Sequence, residues 1–270
     1  MSWPVTLPSH LVRPSDMVPQ ASSLGDASAP PALYAFCRST HSGVAGRMLM
    51  SRRGVFKAIL GGLSAYGLTG RRLAGAAPEL AVPGTLPVQT LDFDKTGIDA
   101  WTTVEGRWTV ENMPGAPSGS KVLVQRAVKN QFNLILAPLG PYSDLDVSMK
   151  FKPISGEEDA SGGIVFRFSQ GRYYVVRANA FEDNVRLYFY DRGRRQIATS
   201  SVKAPQLGQW HTLRVVAVDD RMQAWLDGQL CFEHRDTRLK AGRVGLWTKS
   251  DSVTAFDDLT IRGVKRGESP

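Results

Sequence analysis

From about residue 90 onward, apolar and polar residues alternate with a period of two. Leu145, Val147, Met149 and Phe151 fall on one face of an extended segment, and Asp146, Ser148, Lys150 and Lys152 on the other. Ile164, Phe166 and Phe168 alternate with Val165, Arg167 and Ser169, and Val185, Leu187 and Phe189 with Arg186, Tyr188 and Tyr190. One apolar face with period two is the signature of half-buried antiparallel strands. The pattern predicts strands over 106–110, 121–125, 132–137, 145–154, 163–168, 172–178, 185–190, 210–218, 221–226, 229–233, 243–247 and 254–262. Gly, Pro, Asn, Asp and Ser separate these runs, and no long run of helical period interrupts them. Asp227-Gly228 between two runs predicts a tight hairpin, because such a turn needs positive φ at both central positions. The expectation is one all-β domain over 90–264, an antiparallel β-sandwich or jelly roll, followed by a disordered tail over 265–270.

The chain ahead of that domain reads differently. Ser51-Arg52-Arg53-Gly54-Val55-Phe56-Lys57 resembles the twin-arginine export motif, with its aromatic one place late. A weakly apolar stretch follows from Ala58 to Gly70, shorter than the ~20 apolar residues that span a bilayer. Arg71-Arg72 and then Ala74-Gly75-Ala76 complete a cleavable signal over 48–77. Residues 1–47, rich in Pro, Ser and Ala, are expected to be disordered, with Met48 or Met50 as the true start. Three prolines mark 78–89 as a linker. The expected location is periplasmic or extracellular, without stable membrane insertion.

Charge changes meaning once it is divided. The 270 residues carry 33 Lys/Arg against 25 Asp/Glu. Eight of those basic residues and two of the acidic ones precede Pro78, so the domain itself holds 25 against 23 and is close to neutral. A nucleic-acid partner loses its electrostatic support. Of the two cysteines, Cys37 lies in the leader and Cys231 in the apolar run Leu230-Cys231-Phe232, which suits a small buried hydrophobe. Paired Cys/His spacings for structural zinc are absent.

Several motifs in order carry a resemblance. They are Gly162-Gly163-Ile164-Val165-Phe166-Arg167, Tyr173-Tyr174-Val175-Val176-Arg177-Ala178-Asn179, Trp210-His211-Thr212-Leu213-Arg214-Val215, Gly245-Leu246-Trp247-Thr248-Lys249-Ser250-Asp251-Ser252 and Phe256-Asp257-Asp258-Leu259. Together, over roughly Leu91 to Val264, they resemble the concanavalin A-like lectin/glucanase jelly rolls, in the branch of 3-keto-disaccharide hydrolase-like domains of exported bacterial proteins. The resemblance implies two curved antiparallel sheets, with ligand on the concave one, and members that hydrolyse sugars or bind them. The Glu-x-Asp-x-x-Glu strand motif of the related glucanases, which sets acid and nucleophile on one face, is missing from this chain.

Arg167, Arg177 and Arg186 recur at about ten-residue spacing on three successive strands, so a meander can bring them together on one face. Asn179 shares the face of Arg177, and Tyr188 that of Arg186. Guanidinium, amide and ring groups in a row suit sugar recognition, whereas the same row can also be a solvated face with Arg stems over apolar surface. Trp247 fits either a stacking platform at the rim or the core. Glu182, Asp183 and His211 are the candidates for acid–base work. His211 shares its face with Leu213 and Val215 and therefore also reads as a structural histidine. Asp92 or Asp94 with Asp257 and Asp258, where first and last strands meet, suggests a structural Ca2+ site; the alternative is a polar edge that discourages sheet pairing.

Three functions remain open on these residues. The first is an exported carbohydrate-binding or carbohydrate-processing domain with a carbohydrate or glycoside ligand. The second is a 3-keto-disaccharide hydrolase, an enzyme acting on glycosides. The third is a non-catalytic envelope or adhesion module whose protein partner the sequence does not identify.

Overall fold

The structure, a computed structural model, describes residues 78–82 and 86–265. The expectations for 1–47, for the signal at 48–77 and for most of the tail lie outside these residues. The described strands are β1 (Gln89–Leu91), β2 (Thr102–Glu105), β3 (Trp108–Asn112), β4 (Lys121–Gln125), β5 (Phe132–Leu136), β6 (Tyr142–Ser155), β7 (Ser161–Ser169) and β8 (Arg172–Asn179). They continue with β9 (Glu182–Tyr190), β10 (Arg194–Ser201), β11 (His211–Val218), β12 (Arg221–Leu226), β13 (Gln229–Arg235), β14 (Arg243–Lys249) and β15 (Val253–Lys265). No described helix is long and apolar enough to cross a membrane.

The strands form two antiparallel sheets. One has 8 strands in the order β13-β12-β11-β6-β15-β4-β3, with β1 also paired to β15. The other has 7, in the order β10-β9-β8-β7-β14-β5-β2. The order interleaves distant strands, as in a jelly roll, and the period-two pattern explains why the sheets stack. Leu145, Val147, Met149 and Phe151 of β6 and Leu213, Val215 and Ala217 of β11 line the inner face of the eight-stranded sheet. Ile164 and Phe166 of β7, Tyr174 and Val176 of β8, and Val185, Leu187 and Phe189 of β9 face them from the seven-stranded sheet. This shared apolar layer is the main core.

Asp227 and Gly228 both have positive φ, at 49° and 80°, as the hairpin between β12 and β13 requires. Three described strands depart from the sequence pattern. β1 and β2 are short, and β10 (Arg194-Arg195-Gln196-Ile197-Ala198-Thr199-Ser200-Ser201) is a polar edge strand with a bulge, so it carries little alternation.

The segment read as a linker is in part docked. Leu80 and Val82 are buried with Val216, Trp225 and Val264 on the outer face of the eight-stranded sheet. The prolines break regular structure there, but the alternating Leu80 and Val82 still supply an apolar edge for that face.

Candidate functional site

The outer face of the seven-stranded sheet carries a second apolar cluster, opposite the main core. Leu134, Leu136, Val165, Tyr173, Val175, Tyr188 and Trp247 are buried there, with Phe132, Phe168 and Tyr190 half-buried around them. Register explains the grouping. Arg186 pairs with Arg177, Arg177 with Gly163, Gly163 with Trp247, and Trp247 with Leu134, across five strands. The next row on the same face runs Tyr188, Val175, Val165, Gly245 and Leu136. A Cβ at Gly163 would lie 3.0 Å from the Val176 carbonyl oxygen and 3.3 Å from the Arg177 Cβ. Glycine here lets Arg177 and Trp247 lie side by side with only backbone between them.

One end of this face is polar. Arg177 is 1% exposed, and its Nη2 donates to both oxygens of Glu182 at 2.9 and 3.0 Å. Arg186 meets the same carboxylate at 2.8 Å. Asn184 Nδ2 donates to Glu182 at 3.0 Å and Asn179 Nδ2 at 3.2 Å. Burial by itself would raise the Glu182 carboxyl. The hydrogen bonds from Asn184 and Arg177, with the charges of Arg177 and Arg186, instead hold it at about 2. The Tyr188 hydroxyl accepts from Arg177 at 3.4 Å and from Arg186 at 3.3 Å. Buried Asp159 accepts from Asn179 at 3.1 Å and lies 3.4 Å from Lys249 Nζ.

The other end is aromatic. Tyr173 and Tyr190 stack at 4.7 Å between ring centroids, Phe132 stacks on Trp247 at 5.5 Å, and Phe132 meets Tyr190 edge-on at 6.0 Å. Arg194, the first residue of β10, lies over Tyr188 at 4.2 Å, over Phe132 at 5.2 Å and over Trp247 at 5.9 Å. Beside the rings opens a cleft of about 490 Å³, lined by Phe132, Leu134, Phe168, Tyr173 and Tyr190 with Glu105, Asn130 and Gln131 at its polar margin. Stacked rings beside fixed hydrogen-bonding groups can hold a ligand that is apolar on one face and hydroxylated at its edge.

Arg177, Asn179, Arg186, Tyr188 and Trp247 thus share one face, and Glu182 joins them. Trp247 is neither at the rim nor in the main core: it is the covered floor of the aromatic cluster.

Arg167 does not join the row. The β7–β8 register sets Gly163, not Arg167, opposite Arg177. Arg167 falls in a bulge with φ 52°, which breaks the alternation and turns its side chain away. It is buried, donating to the carbonyl oxygens of Ser143 and Leu239 at 3.0–3.1 Å. Equal spacing along the chain was not enough, because antiparallel pairing aligns residues equidistant from a turn.

The proposed acid–base set is dispersed. Asp183 points the opposite way from Glu182 and accepts from the Ala204 backbone N–H at 3.0 Å. His211 lies in the other sheet, where both ring nitrogens are engaged. Its Nε2 accepts from the Gln206 N–H at 2.9 Å, which leaves the proton on Nδ1 for Asp227 at 2.7 Å. The proposed calcium ligands are likewise engaged by other groups. Asp92 accepts from Lys95, Asp94 from Ser120 and Lys121, and Asp257 from Ser118 and the Asp258 N–H. Asp258 sits at a bulge with φ 48°. Among the described residues no three His, Cys, Asp or Glu side chains are placed to hold a metal ion.

Phe132, Tyr173, Tyr190 and Arg194 belong to the site but stand out less in the sequence. Tyr173 stands four residues before Arg177 and Tyr190 two after Tyr188, so the period of two already places both on this face. Phe132 and Arg194 are brought in by strand order, which no local pattern contains.

Residues 89–262 match the family described as the 3-keto-alpha-glucoside-1,2-lyase-like domain. The chain is 24% identical over 189 residues to the levanase of Bacillus subtilis (strain 168), covering 68% of this chain but only 25% of that enzyme. Among solved structures, it resembles the carbohydrate-binding module CBM66 from Bacillus subtilis, with a TM-score of 0.53 and 21% identity over 61% of this chain and 96% of the module. It also matches a Bacillus subtilis protein of unknown function with a galectin-like fold, at a TM-score of 0.48 and 12% identity over 63% of this chain and 92% of that one. The likeness to the CBM66 module concerns the fold.

Proposed function

This chain belongs to the 3-keto-alpha-glucoside-1,2-lyase-like domain family, and on that premise we propose that it is a carbohydrate-recognition domain whose ligand lies on the outer face of the seven-stranded sheet. The observation that carries this reading is the juxtaposition of the ring cluster of Phe132, Tyr173, Tyr188, Tyr190 and Trp247 with the Arg177–Glu182–Arg186 cluster. Ring faces stack on the C–H face of a sugar, while guanidinium and carboxylate groups fix its hydroxyls. The levanase relative makes β-fructan oligosaccharides a rational first probe, and the family description adds 3-keto-α-glucosides.

Recognition fits the site better than catalysis. Eliminating a glycosidic oxygen from a 3-keto sugar requires a base to remove the proton beside the ketone. Glu182 is held ionised by four donor side chains and is therefore a weak base, and the second carboxylate of this end, buried Asp159, is engaged by Asn179, Ser252 and Lys249. His211 sits in the opposite sheet with no free ring nitrogen. An adhesion surface has less support: the exposed large apolar residues Val88, Val104, Val128, Phe181 and Leu207 lie on different strands and loops.

Calorimetric titration with levan oligosaccharides, gluco-oligosaccharides and a 3-keto-α-glucoside tests the reading, with Arg177→Ala as the control. Binding that weakens about tenfold or more in the variant is expected. Absence of binding, or binding indifferent to Arg177→Ala, would overturn it. We also place the mature domain outside the cytoplasm, on the strength of the twin-arginine-like motif and the Ala74-Gly75-Ala76 site. An N-terminus of the native protein near Ala77, lost on Arg52→Lys/Arg53→Lys substitution, is the expected result.

A further inference from the structure

We propose that Arg194 is a place-holder for the ligand: its guanidinium covers the Tyr188–Trp247 ring platform in the free protein and leaves it when a sugar ring stacks there. The inference rests on the sugar-recognition reading and adds a moving part to it.

Three arginines meet on this face, and they are held differently. Arg177 and Arg186 are tied to the Glu182 carboxylate. Arg194 has no carboxylate partner among the described residues and is held by ring faces instead, over Tyr188, Phe132 and Trp247. A cation over a ring is favourable, but it is more easily exchanged than a charge-assisted hydrogen bond. With its guanidinium carbon 4.2 Å from the Tyr188 centroid, Arg194 occupies the space over that ring that a stacked ligand would need.

The face also has unused hydrogen-bonding capacity. Arg177 Nε, Arg186 Nε and Arg194 Nη1 are all buried and make no hydrogen bond among the described residues. Buried donors without acceptors are costly, and three of them around one ring cluster point to an acceptor-rich partner. Sugar hydroxyls supply such acceptors, and a displaced Arg194 can donate to them from above.

The backbone permits the movement. Arg194 opens β10, the edge strand of its sheet, directly after the tight turn Asp191-Arg192-Gly193, where Arg192 has φ 53°. A long side chain on an edge strand can rotate into solvent without breaking a ladder.

Stopped-flow binding with levan oligosaccharides and a 3-keto-α-glucoside is to be compared for the wild type, Arg194→Ala and Arg177→Ala. Arg194→Ala is expected to raise the association rate severalfold, because the platform is already open. In the same variant, acrylamide quenching of Trp247 rises, read as the difference from Trp247→Phe. In the wild type, the Arg194 Nε–H resonance moves downfield on saturation as the guanidinium leaves the Tyr188 ring. If sugar binds and depends on Arg177 while the rate, quenching and resonance ignore Arg194, the place-holder role is overturned alone. If no probe binds any of the proteins, the sugar reading falls and takes the place-holder with it.

Discussion

Arg177 and Glu182 face each other across the β8–β9 turn, with Arg177 Nη2 2.9 and 3.0 Å from the two carboxylate oxygens. Because Arg177 is 1% exposed, this carboxylate is the counter-charge that allows a guanidinium to lie beside Trp247 and Tyr188. The pair couples the site to the stability of the sheet that carries it.

Glu182→Gln should therefore lower stability by about 1–3 kcal/mol at neutral pH, since it leaves a buried cation with a weaker partner. It should also change the response to acid. The Glu182 carboxyl lies at about 2 in the folded chain, against an ordinary 4.5. Its contribution is present above about pH 4.5 and is lost as pH falls from there toward 2. Urea unfolding measured across that window should show a shallower pH dependence in the variant; an unchanged slope would contradict the pairing.

The rings divide into floor and wall. Trp247→Ala removes the covered floor and should cost about 3–5 kcal/mol of stability. Tyr190→Ala removes a half-buried wall of the cleft. It should cost less stability yet weaken sugar binding about tenfold, the usual scale for a lost aromatic stack. Paired denaturation and titration curves separate the two effects, and equal losses in both assays for Tyr190→Ala would show that it serves only packing.

Much of this was legible in the sequence because period-two patterning is a local property. The strands with one apolar face, such as β6 and β9, and the face shared by Arg186 and Tyr188 follow directly from it. What the pattern does not contain is pairing. Arg167 misses the row because a bulge and the β7–β8 register intervene, and Arg194 enters because β10 lies against β9. Glu182 was readable as a candidate acid, but its fixed ionisation depends on the arginines gathered around it in three dimensions.

Asp257 offers a test of the last strand. Burial raises its carboxyl above the ordinary 3.8 in spite of N–H groups from Ser118 and Asp258. A raised folded value means that stability is lost as pH rises through the window between 3.8 and that value. Asp257→Asn keeps an acceptor for the Ser118 N–H and removes the charge. It should be neutral or slightly stabilising near pH 7, by at most about 1 kcal/mol. Millimolar calcium should leave the melting temperature of the wild type unchanged; a rise of several degrees that vanishes in Asp257→Asn would establish a calcium site after all.

The docked segment ahead of β1 makes the final prediction. Gln223 is fully buried on the outer face of the eight-stranded sheet; its Oε1 accepts from the Leu80 N–H at 2.7 Å and its Nε2 donates to the Pro78 carbonyl at 3.0 Å. One side chain thus satisfies two backbone groups of a segment that has no sheet ladder of its own. Leu80 and Val82 then cover Val216 and Trp225, while Glu79 joins the Arg214–Asp146 pair. Leu80→Ala should cost about 2 kcal/mol by opening the apolar contact. Gln223→Ala should cost about 1–3 kcal/mol by stranding buried polar groups. If the segment docks as a unit, either change releases it, and the double variant should lose clearly less than the two single losses combined. Hydrogen exchange at the Leu80 amide gives the independent readout: it should be slow in the wild type and fast in both single variants. Fully additive losses with a fast-exchanging Leu80 amide in the wild type would show that the segment lies on the sheet without being held by it.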